Sequence, residues 1–241
     1  MSDSVPAALR QFLVRPRTFF AERPPASTLP IAIGVVVLIS IATVGTLLLL
    51  GSILAGAVDT TVTVDNPNHT PEWACESNTA EFTPAGCGEP ETIERDAGEL
   101  IQEAINDLVV IALLAPLLMW VLGAITFNLT ARLAGGRPSL AGTAAIAGWV
   151  ALPELLRLGG ALVAFRVAFS DVTITDPERG AEVLEAAISS IDPVLWLVSL
   201  LVAAWQWHIA TGGLMSDADL DRGAAAAATA FPLLIAFLLS L

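Results

Sequence analysis

Glu154 and Arg157 are the residues whose types and spacing could serve a chemical role, because an acid and a base lie three positions apart within a long apolar run. Side chains at this spacing share one face of a helix and can pair. If the run crosses a membrane, each unpaired charge costs about 2.5–3.5 kcal/mol on insertion scales, so the pair is a candidate for a solute or ion path. Two other interpretations stay open. The pair could fix helix packing beside a kink at Pro153, or the helix could end near Arg157 and the chain return along the outer interface.

Cys75 and Cys87 are the only two cysteines, and they lie in a polar stretch that we predict to be outside the membrane, where disulfides persist. A bridge would close a short loop rich in glycine and proline, with a chain-entropy stabilisation of about 3 kcal/mol. The alternative is a metal site with His69, which falls short of the four ligands of a structural zinc site. We predict the disulfide and no metal.

Signatures of catalysis are absent from the sequence. It has no His-Glu-x-x-His motif, no glycine-rich phosphate loop and two histidines in all. The acids of the outer loops have no spacing that singles out a pair. We therefore predict a protein that is not an enzyme and uses no cofactor.

The elements that must position these residues are five long apolar runs, each near or above the about 20 residues with which a helix crosses a bilayer. Continuous runs without alternation predict helices rather than barrel strands. We therefore predict an all-α, polytopic transmembrane helical bundle that forms one membrane domain. Its predicted parts are an interfacial cytoplasmic segment at 1–28, span one at 29–58, an acidic outer loop at 59–103, span two at 104–130, span three at 139–169, an outer amphipathic loop at 170–192, span four at 193–213, an inner loop at 214–222 and span five at 223–241.

The composition agrees, with 55% hydrophobic residues and a mean hydropathy of +0.72. All eleven basic residues are arginine, and the net charge is −13. Dense acid becomes tolerable at molar salt, where the screening length is about 3 Å, so the composition favours a salt-adapted protein over an ordinary acidic outer loop. It also argues against nucleic-acid binding, which needs basic patches.

Arginines set the predicted orientation, since cytoplasmic loops carry an excess of basic residues. Four arginines, among them Arg15 and Arg17, precede the first run, and Arg132 and Arg137 lie in the tight turn between the second and third runs. Both places are predicted to be cytoplasmic, with the N-terminus inside and the C-terminus outside. In the turn, glycine can take the left-handed conformation that ends a helix, and Ser139 can cap the next one.

Two amphipathic stretches precede the second and fourth spans, with apolar residues at helical spacing from 93 to 108 and from 184 to 191. We predict that both are helices on the outer membrane surface. Ala141, Ala145 and Gly148 form a stripe of small residues that would let a neighbouring helix approach closely.

The chain resembles the Ypt-interacting-protein (Yip) family of five-span membrane proteins, and the resemblance covers nearly its whole length. It rests on the order of the spans and on Val14-Arg-Pro-Arg-Thr-Phe-Phe20, the Gly135-Gly136 turn, Gly148-Trp149-Val-Ala-Leu-Pro153, Trp196 and His208. Eukaryotic relatives bind small Rab-type GTPases and act in membrane traffic. The composition indicates a salt-adapted prokaryotic member, and the long acidic loop with two cysteines is not part of the family pattern.

Two functions remain open. The resemblance implies a membrane adaptor or organiser in the cell membrane that recruits cytoplasmic protein partners or organises the lipid bilayer, and that could form a homo-oligomer. Its predicted partner surface comprises Arg15, Arg17, Phe19, Phe20, Gly135, Gly136 and Arg137. The alternative is a small-solute or ion permease that uses Glu154 and Arg157. Against it, transporters often have repeated halves, and five spans do not divide evenly.

Overall fold

Ten α-helices and one β-hairpin make up residues 5–76 and 85–238, the part of the chain that the computed structural model describes. The elements in chain order are α1 (Val5–Val14), α2 (Pro16–Glu22), a 3-10 turn (Pro25–Thr28), α3 (Leu29–Ala57), β1 (Thr61–Asp65), α4 (Glu72–Glu76), β2 (Thr92–Asp96), α5 (Ala97–Asp107), α6 (Val109–Leu133), α7 (Leu140–Ala151), α8 (Glu154–Ala168), α9 (Pro177–Asp217) and α10 (Arg222–Leu238).

Four helical segments are long and apolar enough to cross a membrane: Pro25–Ala57, Ala97–Leu133, Leu140–Ala168 and Arg179–Asp217. Large apolar side chains are exposed along their outer faces, as expected where lipid rather than protein surrounds a helix. The predicted all-α class is confirmed, with the hairpin as a small addition. The fifth predicted span corresponds to α10, which is apolar but has 17 residues, so five spans stay a prediction.

The long helices form one bundle around α3 and α7. α3 packs against α6, α7 and α8, α9 packs against α7, α8 and α10, and α10 returns to α6. Gly148 allows a close approach of α7 to α3, because a Cβ on it would lie 2.9 Å from both the Cβ and the carbonyl oxygen of Ala32. The small-residue stripe of α7 thus contacts the first turn of α3, where side chains of ordinary size would hold the helices apart.

The third apolar run consists of two helices. α7 ends at Ala151 and α8 begins at Glu154, with Leu152 and Pro153 between them. Pro153 has no backbone N–H and cannot complete the ladder of hydrogen bonds, which explains the break. The break places Glu154 in the first turn of α8.

The two amphipathic stretches pack against protein along part of their surface, and their place at the outer membrane surface stays a prediction. Ile93 belongs to strand β2, paired with Val64 of β1, and the helix begins only at Ala97. α5 packs against α3, where a Cβ on Gly51 would lie 2.8 Å from Ile105 Cγ2. The stretch at 184–191 is continuous with the fourth span in α9, and its apolar face covers Ala57 and Phe169.

Candidate functional site

The N-terminal segment is built into one end of the bundle. We call this end the basic end and define it as residues 10–28, 131–142 and 205–226. Indole Nε1 of Trp205 donates to the carbonyl oxygen of Leu13 at 3.1 Å, and Ser216 Oγ donates to that of Phe20 at 2.8 Å. A Cβ on Gly212 would lie 2.8 Å from the backbone nitrogen of Arg17, so α2 rests directly on the backbone of α9. Residues 13–20 therefore have a defined position against α9.

An aromatic cluster fixes the segment from the inside. Phe12, Phe19 and Phe20 pack edge to face around one another, and Phe12 lies 4.7 Å from the Trp149 ring of α7, centroid to centroid. Trp149 Nε1 donates to Thr28 Oγ1 at 3.0 Å, which satisfies its one polar group. Phe19 is 5% exposed and Phe20 is fully buried, so these two side chains are core residues and do not form part of an exposed partner surface. An aromatic and basic pattern does not reveal whether lipid or protein covers the aromatic residues.

The two turns at the basic end are joined. Gly135 has a φ of +88° and ends α6 in the left-handed conformation. The next two residues meet the turn after α9: a Cβ on Gly136 would lie 2.9 Å from the Ala218 carbonyl oxygen, and Arg137 N–H donates to that oxygen at 3.1 Å. The turns at 135–139 and 217–221 therefore form one surface.

Asp217 connects this surface to α7. Ser139 caps α7 by accepting from Gly142 N–H at 2.9 Å, as its type and position predict. Asp217 in turn accepts from Ser139 N–H at 3.0 Å and from Ser139 Oγ at 2.9 Å. A carboxylate at a helix N-terminus is favourable because the backbone N–H groups there carry partial positive charge. Gly142 is required, because any Cβ there would collide with the Asp217 carboxylate.

The cationic members of the predicted partner surface are exposed at this end. Arg15, Arg17 and Arg137 are all exposed, as is the backbone of Gly135. Leu133, beside the turn, is 87% exposed. The structure thus retains the arginines and the turn as accessible groups and places Phe19 and Phe20 behind them.

Two cavities open at the basic end. The larger, of about 310 Å³, lies between the start of α2, the last turns of α9 and the start of α10. The smaller, of about 280 Å³, is lined by Arg132, Gly136, Arg137 and Pro138. The polar and aromatic lining of the larger one comprises Arg15, Arg17, Thr18, Trp207, His208, Thr211 and Arg222.

Glu154 and Arg157 form a closed ion pair within the bundle. Arg157 Nε lies 2.8 Å from Glu154 Oε2, and Gln206 Nε2 of α9 donates to Glu154 Oε1 at 2.9 Å. Both carboxylate oxygens are therefore engaged, one within α8 and one across to α9. This arrangement fixes the packing of α8 against α9 at the break after α7, in line with the structural interpretation.

Cys75 and Cys87 form a disulfide at the opposite end, with their Cα atoms 5.8 Å apart. The neighbouring His69 donates through Nδ1–H to the Glu89 carbonyl oxygen at 2.7 Å, so its ring is engaged by the loop itself. Among residues 5–76 and 85–238, no group of three or more histidine, cysteine or acidic side chains is placed to hold a metal ion.

The family model named Yip1 domain matches residues 10–241. The chain belongs to the Yip1 family. It is thus a multi-pass integral membrane protein of the Yip1 type, with apolar helices long enough for that role. Comparison with curated proteins gives no match, and comparison with solved structures gives none.

Sequence reasoning did not identify Asp217, Ser216 or Gly212 as residues that hold this Yip1 basic end together. Asp217 was visible only as an acid in a short loop, and its partner Ser139 lies 78 positions earlier. Gly212 and Gly213, adjacent in the last turns of the fourth run, were the available signal, because paired small residues mark a close approach between helices.

Proposed function

We propose that this Yip1 protein is a non-enzymatic adaptor of the cell membrane that recruits a cytoplasmic protein to its basic end. The proposal includes five spans, with α10 as the fifth, an N-terminus inside and a salt-adapted prokaryotic host. The family is a membrane-trafficking family not known for enzymes, which supports an adaptor role.

One observation carries the proposal: three segments far apart in sequence are hydrogen-bonded into one continuous surface. Trp205 and Ser216 hold the N-terminal segment, and the bonds from Arg137 and Ser139 join the two turns. Binding a partner to loose loops would cost the entropy of ordering them, whereas a surface that is already ordered avoids that cost.

The chemistry of this surface indicates the kind of partner. Arg15, Arg17 and Arg137 are exposed at the basic end, as is Leu133, in a chain whose net charge is −13. Arginine is enriched at the centres of protein interfaces, where its guanidinium pairs with carboxylates and packs on apolar groups. We infer a partner whose docking surface is acidic with an apolar element. The permease alternative is not favoured, because Glu154 pairs with Arg157 and accepts a hydrogen bond from Gln206.

Site-specific photo-crosslinking in native membranes tests recruitment. The crosslinker replaces Thr18 or Arg137, both exposed at the basic end, and Glu94, exposed on strand β2, serves as the matched control. We expect one saturable soluble protein from the first two positions and none from Glu94. Crosslinks to lipid or to a second copy alone would contradict recruitment, and the same protein at all three positions would contradict the assignment of the surface.

A further inference from the structure

We propose that the larger cavity at the basic end binds an anionic phosphate group, such as the headgroup of an anionic phospholipid. The inference goes beyond the adaptor function, since it holds whether or not a protein docks at the same end. It assigns a ligand class to Arg15, Arg17 and Arg222, which come from two distant parts of the chain and line one cavity of about 310 Å³.

The charge of the lining is the first argument. Three of the eleven arginines of the chain and one of its two histidines line this cavity, and no carboxylate of residues 5–76 and 85–238 does. The charge around this cavity is therefore positive in a protein that has 24 acidic residues. An excess of like charge around one concave site favours an anion, and low-dielectric walls strengthen that preference.

The guanidinium groups are also available. The side-chain ion pairs of the described ranges are Arg23–Glu22, Arg95–Glu103 and Arg157–Glu154. Within those ranges, neither an ion pair nor a side-chain hydrogen bond involves Arg15, Arg17 or Arg222. Guanidinium presents a planar fork of N–H donors that matches the oxygens of a phosphate two at a time, so three unpaired ones suit a phosphate better than a single carboxylate.

The walls of the cavity are held in place without a ligand. Trp207 Nε1 donates to the Ala226 carbonyl oxygen at 2.9 Å, which joins α9 to α10. Thr211 Oγ1 donates to the Trp207 carbonyl oxygen at 2.8 Å and lies 3.1 Å from Thr229 Oγ1. Close contact between Gly212 and Arg17 fixes the start of α2. The volume reaches the about 300 Å³ at which ligand pockets begin.

The position of Trp207 favours a lipid as the source of the phosphate. Its indole is 43% exposed while its N–H is bonded, and tryptophan with one wet and one apolar side concentrates at the level of lipid headgroups. A headgroup entering from the bilayer would place its phosphate among the arginines and leave its acyl chains outside the cavity. A free phosphate would satisfy the same guanidinium groups, and the experiment separates the two sources.

Native mass spectrometry of the purified full chain tests the site. Delipidated protein is titrated with phosphatidylglycerol or with phosphatidylcholine, and the number of retained lipids is measured. The cavity variant carries Arg15→Gln, Arg17→Gln and Arg222→Gln. The control variant carries Arg10→Gln, Arg166→Gln and Arg179→Gln, three exposed arginines that line neither cavity, so that the net charge changes equally. We expect the cavity variant to bind phosphatidylglycerol at least tenfold more weakly than the parent, and the control less than twofold.

A salt series and a competition arm complete the design. At molar salt the screening length is about 3 Å, so nonspecific attraction of lipid to exposed arginines is lost. Specific binding of phosphatidylglycerol should persist in the parent and the control and be absent from the cavity variant. Displacement of the lipid by millimolar inorganic phosphate would identify a free-phosphate site, and resistance to displacement would identify a headgroup site.

Equal losses of phosphatidylglycerol affinity in both variants, or no loss in either, would overturn the proposal. If the triple variant does not fold, Arg222→Gln alone is used, with a threefold or larger loss expected, and an unchanged affinity would overturn the proposal as well. Retention of phosphatidylglycerol by the parent, with no soluble protein crosslinked at Thr18 or Arg137, would refute recruitment while leaving this site intact.

Discussion

Asp217→Ala is expected to loosen the joined turns at the basic end. The substitution removes an acceptor for two hydrogen bonds from Ser139 and a negative charge at the N-terminus of α7. Hydrogen bonds to a charged group contribute about 1.5–3 kcal/mol each, and the helix dipole adds about 0.3–1 kcal/mol. Both bonds lie at the surface, where water replaces the carboxylate, so we discount each to about 0.5 kcal/mol, the low end for an ordinary hydrogen bond. We expect a loss of about 1–2 kcal/mol, or about 2–8 °C in melting temperature for a chain of this size.

The assay is thermal unfolding in detergent, monitored by tryptophan fluorescence, with Glu94→Ala as the matched control. The Glu94 side chain is exposed and has no hydrogen bond or ion pair within the described ranges, so its removal changes the net charge and leaves the strand pairing in place. A double-mutant cycle with Ser139→Ala isolates the interaction, because residues in one hydrogen-bond network do not contribute additively. We expect a coupling of about 0.5–1.5 kcal/mol, since Ser139 both caps α7 and donates to Asp217.

Two results would refute this reasoning. One is a melting temperature for Asp217→Ala equal to that of Glu94→Ala, which would mean that the carboxylate contributes no more than any surface acid. The other is a double variant whose loss equals the sum of the two single losses. In that case the contact between Asp217 and Ser139 would carry no energy, and the turns at 135–139 and 217–221 would owe their position to the backbone bond at Arg137 alone.

Three further predictions concern packing and topology. Gly148→Ala should lower the free energy of unfolding by about 1–3 kcal/mol, because the new Cβ forces α7 away from the Ala32 backbone. Gly34→Ala is the control: nothing lies within 4 Å of its new Cβ, so it should be neutral or stabilising by up to about 1 kcal/mol. Thermal unfolding of both variants tests the difference. Ser40→Ala should not lower the melting temperature, since Ser40 Oγ is buried without a hydrogen-bond partner within the described ranges and its removal leaves no group unsatisfied; a loss above about 1 kcal/mol would indicate a hidden partner. Single cysteines at Thr18 and Arg137, in a variant without Cys75 and Cys87, should resist an impermeant thiol reagent in intact cells and react after lysis, and labelling from outside would reverse the proposed orientation.

The architecture was readable from the sequence because its signals are local. Length and apolarity of a run decide whether a helix can cross a membrane, and the cap at Ser139 and the left-handed Gly135 depend on a few adjacent residues. Strand β1 also had a local signal, the alternation of Thr61-Val-Thr-Val-Asp65. Ile93 of the partner strand was instead assigned to a helix, because it fits the helical spacing of the residues that follow it.

The contents of the site were not readable, because they depend on which surface covers each apolar face. The sequence pattern is equally compatible with Phe19 and Phe20 lying on lipid and with the observed packing, in which Phe19 contacts Trp149 and Phe20 contacts Phe19. The same ambiguity applied to residues 184–191, which cover Ala57 and Phe169. Pairs such as Gln206 with Glu154 join positions 52 apart, and no periodicity within one helix specifies a partner on another.

The acids of the last turn explain how an acidic chain can present a basic end. Asp217, Asp219 and Asp221 outnumber Arg222 there, which made this loop the weakest support for the orientation. Two of the three are engaged at helix N-termini: Asp217 beside Ser139, and Asp221 by accepting from Gly223 N–H at 2.7 Å and Ala224 N–H at 3.0 Å. Their charge is balanced by the partial positive charge of α7 and α10 rather than by arginine. Among the residues that the structure describes, the arginines of the larger cavity have no acidic partner. This separation of acids from arginines, not the net charge of the loop, makes the end suitable for an anionic ligand.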